Sequence, residues 1–344
     1  MGVEVSMQPE CYGRYVLLDR IAAGGMGEVF AAVPVNLWGF DKYFALKRIL
    51  PSLTDDTEFL QRFRDEVRLV LPMSHPNVVQ VFEVGRVGAE LFIVMELVQG
   101  RDLRQIMSRL FRWRRERELP IAAALYLARE ILTGLDYCHR HKDAVGRGLG
   151  VVHRDVCPSN VLVSYDGHVK LADFGIALSE LKLSRTDPRH TLGHLGYIAP
   201  ESVRGDDVDH RADIYSTGVI LFELLTGQRF VHSEDLGAIL ELKRQRAGVR
   251  PSELRADVPP FVDALVSWAV ACEPERRFAT ARQYLDQVQS ALTRIDPLFT
   301  GATLAEAVLA PVYQRGARRK RLSDLIRKVD LSELQARQKQ QPHC

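Results

Sequence analysis

Cysteine is scarce and poorly arranged for structural bonding. The five present, Cys11, Cys138, Cys157, Cys272 and Cys344, are odd in number and form no Cys-x-x-Cys pair. That argues against a disulfide framework or a zinc site and for a reducing compartment. Long hydrophobic runs are also missing. The best candidates, residues 219–222 and 264–272 with Ser267 inside the second, fall far short of the roughly 20 residues that span a bilayer. The first ten residues lack the basic-then-apolar pattern of a secretory signal. Gly2 and Ser6 fit the loose myristoylation pattern, but with Glu4 beside them this reads as a chance match. Net charge is nearly absent as well: 46 Lys+Arg against 44 Asp+Glu leave +2, so no chain-wide affinity for nucleic acid or anionic lipid is expected. The expectation is a cytoplasmic chain with no membrane span and no nucleic-acid partner.

Composition is otherwise that of a folded protein, with 46% hydrophobic and 26% charged residues. At about 150 residues per domain, 344 residues suggest two domains. No internal repeat shows itself. The first hundred residues read as β-rich: 15–21, 28–33 and 43–49 are strand-like, as are 78–84 and 90–97 around a Gly-containing turn. Between them Phe59, Phe63, Val67 and Val70 recur at helical spacing, and Pro72 stops the pattern. Beyond residue 100 helices dominate. Residues 119–139 are amphipathic, and 214–225 are apolar on nearly every face, as in a helix buried all round. Asp166-Gly167 signals a hairpin turn between short strands at 161–163 and 169–171.

Two basic stretches stand apart, with seven Arg against three acids in 101–118 and seven basic residues against one Asp in 315–328. In the second, Leu322, Leu325, Ile326 and Val329 fall at i, i+3, i+4 and i+7, predicting a terminal amphipathic helix. A solvated charged face plus a helix packing back on the domain is the first reading; docking to a partner protein or an acidic surface is the second.

Chemistry concentrates at a few places. Residues 23–29, Ala-Gly-Gly-Met-Gly-Glu-Val, lie between two strand candidates. Glycine there lets main-chain N–H groups approach a phosphate, although taken alone a tight hairpin explains it better. Lys47 is a lone cation in an apolar strand, and Glu66 lies beside the apolar face of the helix at 59–70. A carboxylate so placed wants a partner, and Lys47 is the candidate. The strongest signal is His153-Arg154-Asp155-Val156-Cys157-Pro158-Ser159-Asn160, followed thirteen residues later by Asp173-Phe174-Gly175. Asp155, Asn160 and Asp173 are hard oxygen groups of the kind that hold magnesium together with substrate phosphates.

Adding Ala199-Pro200-Glu201, the order becomes Gly-rich loop, strand Lys, helix Glu, His-Arg-Asp, Asp-Phe-Gly and Ala-Pro-Glu. Over about residues 15–292 the chain resembles the eukaryotic-type (bacterial Hanks-type) Ser/Thr protein kinases. The resemblance implies an α+β bilobal fold: an extension over 1–14, a β-rich N-lobe with one main helix over 15–98, a mostly helical C-lobe over 99–294, and a basic, partly helical extension over 295–344. It implies an ATP- and Mg2+-dependent transfer, Mn2+ being an alternative metal, of the γ-phosphoryl group to Ser or Thr of a protein substrate. In the nucleotide site it places Ala22, Ala23, Gly24, Gly25 and Gly27 of the loop, with Val29 and Ala45 beside them. Lys47 would grip the α- and β-phosphates with Glu66 as partner, and Met95, Glu96 and Val98 would form the gatekeeper and hinge. Asp155 becomes the catalytic residue, with Lys47 and Asn160 in support, and Asn160 and Asp173 become the metal ligands. His153, Phe174 and Val70 would belong to an apolar spine anchored by Asp213, and Glu201 would pair with Arg277.

Three positions depart from the family pattern. Ala22 replaces the first loop glycine, Cys157 the lysine near the γ-phosphate, and His194 the threonine that meets that lysine. His194 either returns part of the missing positive charge or merely lines the substrate groove with Cys157; both readings stay open. Thr191, Thr186 and Ser184 are the phosphosite candidates through which Arg154 would order the loop by autophosphorylation. The alternative is a pseudokinase or nucleotide-binding scaffold without turnover. Partners beyond the substrate, a regulatory protein or a second copy, have no sequence signature.

Overall fold

The computed structural model describes residues 8–35, 42–54, 56–113, 119–143, 145–174, 195–231, 233, 236–246, 248–313 and 322–325. The chain divides into two compact units, one made of residues 1–72, 80–99 and 314–344, the other of 73–79 and 100–313.

The first unit is a six-stranded antiparallel sheet. Its strands are β1 (Glu10–Tyr12), β2 (Tyr15–Gly24), β3 (Gly27–Pro34), β4 (Phe44–Ile49), β5 (Val81–Val87) and β6 (Glu90–Glu96), in the order β1-β2-β3-β4-β6-β5. A short helix α1 (Pro51–Thr54) and the longer α2 (Thr57–Val70) follow β4. The α2 start is set by Asp56, whose carboxylate accepts the N–H groups of Glu58 and Phe59 at 2.9 and 3.2 Å. Phe59, Phe63 and Val70 are its buried side chains.

Strand alternation gives the sheet two apolar faces. Tyr12, Tyr15, Leu17, Phe30, Ala32, Phe44, Leu46, Phe92 and Val94 pack together on one. Val16, Leu18, Ala31 and Val33 form a separate cluster, and Leu322, fully buried, completes it with Leu325 alongside. The Tyr43 and Ser323 hydroxyls meet at 3.1 Å. Residues 322–325, helical as their spacing predicts, are therefore part of the sheet unit. The rest of the predicted helix lies outside the described residues.

The second unit is helical. It contains β7 (Gly100–Asp102), α3 (Leu103–Trp113), α4 (Ile121–His139), β8 (Val161–Ser164), β9 (Val169–Leu171), α5 (Pro200–Arg204) and α6 (Arg211–Thr226). Then come α7 (Leu236–Arg246), α8 (Pro251–Leu254), α9 (Pro260–Ala269), α10 (Ala281–Ile295) and α11 (Gly301–Leu304). Every residue of α6 except Arg211 is buried, as expected of a helix that is apolar on nearly every face. It ends where Gly227 adopts φ +65°, the left-handed cap that glycine adopts without strain. The β8–β9 hairpin turns through Asp166-Gly167, with Gly167 at φ +85°.

Two sequence expectations change. The strand expected over 78–84 is divided between units. The Val79 N–H donates to Leu171 O at 2.8 Å in the second unit, whereas β5 starts only at Val81 and pairs with β6 in the first. Valine recurs on both sides of the break, so composition gave no hint of the change of partner. Residues 299–313, set aside with the C-terminal extension, supply Phe299, Leu304, Val308, Leu309 and Tyr313 to the helical core.

Candidate active site

In the sheet unit, the register gathers one group of the expected residues. Ala22 lies opposite Val29, Val29 opposite Lys47 and Lys47 opposite Ile93, so these four share one face. Two residues along each strand, Ala31, Ala45 and Met95 form a second row on that face. Lys47 is 8% exposed, and Glu66 is half-buried on α2 of the same unit. Glu96 closes β6, its N–H donating to Gln80 O at 2.9 Å, and Val98 follows two residues on.

Gly24 and Gly27 face each other across a two-residue turn of Gly25 and Met26. A Cβ at Gly27 would lie 2.0 Å from Arg48 O, so glycine is needed there for the approach of β4; at Gly24 a Cβ would meet nothing within 4 Å. Ala22, Ala23, Gly24 and Gly25 are all exposed. Glu28 fixes the base of this hairpin, accepting from Arg20 on β2 at 2.7 Å and from Arg48 on β4 at 2.9 Å. The Arg20 hydrogen bond, aided by Arg48, holds the Glu28 carboxyl below its usual range.

A second group belongs to the helical unit, in the segments just before β8 and just after β9. The Asn160 amide donates to Asp155 O at 2.9 Å and to Asp155 Oδ2 at 2.7 Å. Asn160 O accepts the Ala172 N–H at 2.8 Å, which sets Asp173 next to this loop. Arg154 and Asp173 have φ of +63° and +51°, values that cost a non-glycine residue energy and that recur where the surroundings impose them for function. Asp213 imposes the first: its carboxylate accepts from His153 N at 2.8 Å and Arg154 N at 2.9 Å, and meets His139 Nε2 at 2.8 Å. Burial alone would raise the Asp213 carboxyl, but His139, by hydrogen bond and charge, together with His153 leaves it lowered. His153 is wholly enclosed, with its ring 4.5 Å from that of Phe174 and Nε2 3.2 Å from Ala172 O. That burial lowers its imidazole below the ordinary value. Cys157 is 1% exposed, its Sγ 3.7 Å from Ser159 Oγ.

The Glu201–Arg277 pair expected from the sequence is present and bidentate, both bonds being 2.7 Å. His139 was missed. Its contact with Asp213 spans 74 positions, and a histidine in the last turn of a helix reads as an ordinary end residue. His194, Thr191, Thr186 and Ser184 lie outside the described residues. Lys47 and Glu66 belong to the first unit and Asp155, Asn160 and Asp173 to the second; within each unit the arrangement stands by itself.

A metal can be tested against these donors. Among the described residues no three His, Cys, Asp or Glu side chains converge as a cage. The Asn160 amide nitrogen is engaged by Asp155, which leaves its carbonyl oxygen as the acceptor beside the Asp173 segment. Few, hard oxygen donors suit Mg2+, which retains water and takes phosphate oxygens.

A curled sheet unit and a helical unit carrying an Asp–Asn loop held from below by a buried aspartate define a kinase-type phosphotransfer fold. Comparison with known proteins agrees. The family described as "Protein kinase domain" matches residues 15–288, and the chain belongs to that family. It is 38% identical over 292 residues to "Tyrosine-protein kinase MasK" of Myxococcus xanthus, covering 85% of this chain and 45% of that protein. It is also 38% identical over 270 residues to "Serine/threonine-protein kinase PknL" of Mycobacterium tuberculosis, covering 78% and 63%. The chain thus spans about half to two thirds of the length of these curated relatives. The crystal structure of the M. tuberculosis PknI kinase domain superposes with a TM-score of 0.62 at 28% identity, covering 83% of this chain and 98% of that one. The family uses ATP and Mg2+ and acts on proteins. Among the described residues no helix is long and apolar enough to cross a membrane.

Proposed function

We propose that the chain is an ATP- and Mg2+-dependent protein kinase that transfers the γ-phosphoryl group to Ser or Thr hydroxyls. The observation that carries this reading is the Asn160 amide fixing the Asp155 carboxylate at 2.7 Å beside the Asp173 segment. Asp155 orients the acceptor hydroxyl and takes its proton as the new O–P bond forms and the bond to the nucleoside diphosphate breaks. Asn160 and Asp173 would hold the metal, which supplies charge neutralisation on the phosphate oxygens. Lys47, with Glu66 as partner, would meet the α- and β-phosphates. The loop from Ala22 to Gly27 would cover them with main-chain N–H groups. Val29, Ala45 and Met95, which share a face with Lys47, would pack on adenine, with Glu96 and Val98 offering main-chain groups to its edge.

Alignment and charge stabilisation are what such a transfer needs, and the residues for both are present. That weighs against the pseudokinase alternative. Autophosphorylation is assigned to Thr191, Thr186 or Ser184, where the added charge would meet Arg154. One relative carries the name tyrosine-protein kinase, so the acceptor amino acid is itself an outcome of the test. Mass-spectrometric mapping of the purified chain after incubation with ATP and Mg2+ decides it. Phosphoserine or phosphothreonine in residues 175–194 supports the reading, phosphotyrosine alone redirects it, and an unmodified chain that still binds ATP supports the scaffold alternative.

A further inference from the structure

We propose that Lys243 is a positioning residue for the protein substrate: from α7 it holds residues 196–198 in the shape that receives the acceptor chain. The proposal rests on the reading of this chain as a protein kinase.

Lys243 is 1% exposed. Lysine is rarely buried so completely, because the ammonium loses its water, so its presence calls for a task. Its Nζ donates to Gly196 O at 2.8 Å and to Ile198 O at 2.7 Å, crossing from α7 to the strand-free segment ahead of Pro200. The carbonyl between them is held too, Ser216 Oγ of α6 donating to Tyr197 O at 2.8 Å. Ala199 O accepts the Ser202 and Val203 N–H groups of α5. Four successive carbonyls are therefore engaged, three of them by side chains from two helices and none by a β-ladder. The Tyr197 side chain is fixed by α6 and the turn that follows it: its hydroxyl donates to Glu223 Oε2 at 2.6 Å and accepts from Arg229.

The segment so held adjoins the reaction loop. Cys157, two residues beyond Asp155, is buried in the same apolar cluster as Leu195, Tyr197 and Ala199. Around Lys243 stand the Glu201–Arg277 pair, Glu223 and Cys272, and the Tyr215 ring lies 5.0 Å from Nζ. Burial pulls the ammonium down to about 7. Both protonation states keep at least two N–H donors, which is what two carbonyls require. The hold therefore survives titration, whereas loss of the nitrogen leaves two main-chain oxygens without their donor.

The test compares Lys243→Met, of similar length without a donor, with Lys243→Gln, which retains a two-hydrogen amide. Dephosphorylated casein serves as acceptor. Lys243→Met is expected to raise KM for casein roughly tenfold or more, the scale of one charge-assisted hydrogen bond. KM for ATP should stay within about twofold of wild type. Lys243→Gln recovers most of the loss. Amide exchange over residues 195–199 quickens in Lys243→Met and not in Lys243→Gln. Unchanged KM for casein in Lys243→Met, or a parallel loss in both KM values together with the melting temperature, overturns the positioning role. If wild type labels no protein at all, the kinase reading has failed, and the exchange comparison still stands: unaltered exchange over 195–199 overturns the clamp.

Discussion

The two terminal nitrogens of Arg277 each donate to a different oxygen of Glu201, both at 2.7 Å, in a pair almost sealed from water. Arg277 also donates to the carbonyls of Ala271, Cys272 and Arg211, so one guanidinium ties α5, the start of α6 and the turn after α9.

Removing either partner leaves a buried charge uncompensated. Glu201→Gln or Arg277→Met should therefore destabilise the chain by about 3–5 kcal/mol, read as a shift of the urea midpoint at unchanged slope. A cost below about 1 kcal/mol, the value of an exposed pair, would contradict the sealed geometry.

Asp213 predicts a pH signature. Its folded carboxyl is lowered, chiefly by His139 working against burial. A depressed carboxyl contributes stability that is complete above the unfolded value of about 3.9 and is lost as pH falls through the lower folded value. Stability of wild type minus Asp213→Asn should accordingly shrink as pH drops below about 4. Chemical denaturation at pH 3, 4, 5 and 6 measures it, and a difference that stays flat to pH 3 contradicts the assignment. The same variant frees the Arg154 N–H from its acceptor, so kcat should fall more than KM.

Leu322 fills the cluster of Val16, Leu18, Ala31 and Val33. Leu322→Ala should cost about 2–5 kcal/mol as a core truncation, appearing as faster amide exchange in β2 and β3. Exchange in α6, in the other unit, should remain unchanged. Unaltered β2 exchange would mean that this segment does not hold the sheet.

Much of this was legible in the sequence, for a physical reason. The Asp155–Asn160 loop, the Asp166-Gly167 turn and the glycine hairpin are local, so their geometry follows from residues a few positions apart. Glu201 and Arg277 are 76 positions apart and were paired only through the family resemblance. Features set by distant contacts stayed hidden. Lys243 sits in Glu-Leu-Lys-Arg-Gln-Arg and reads as one more solvated charge, yet it is buried beneath residues 196–198. The amphipathic spacing of Leu322 and Leu325 announced an apolar face, but not that the β2–β3 sheet would be what it covers.

The central claim is tested most directly by incubating purified chain with γ-labelled ATP and Mg2+, wild type beside Asp155→Asn, while nucleotide affinity and melting temperature are followed in parallel. The account predicts label on protein serine or threonine in wild type. In Asp155→Asn the rate should fall roughly 10²–10⁴-fold, with ATP affinity and melting temperature nearly unchanged. Equal labelling by the two proteins, or ATP bound by wild type with no phosphoryl group ever leaving it, would contradict it.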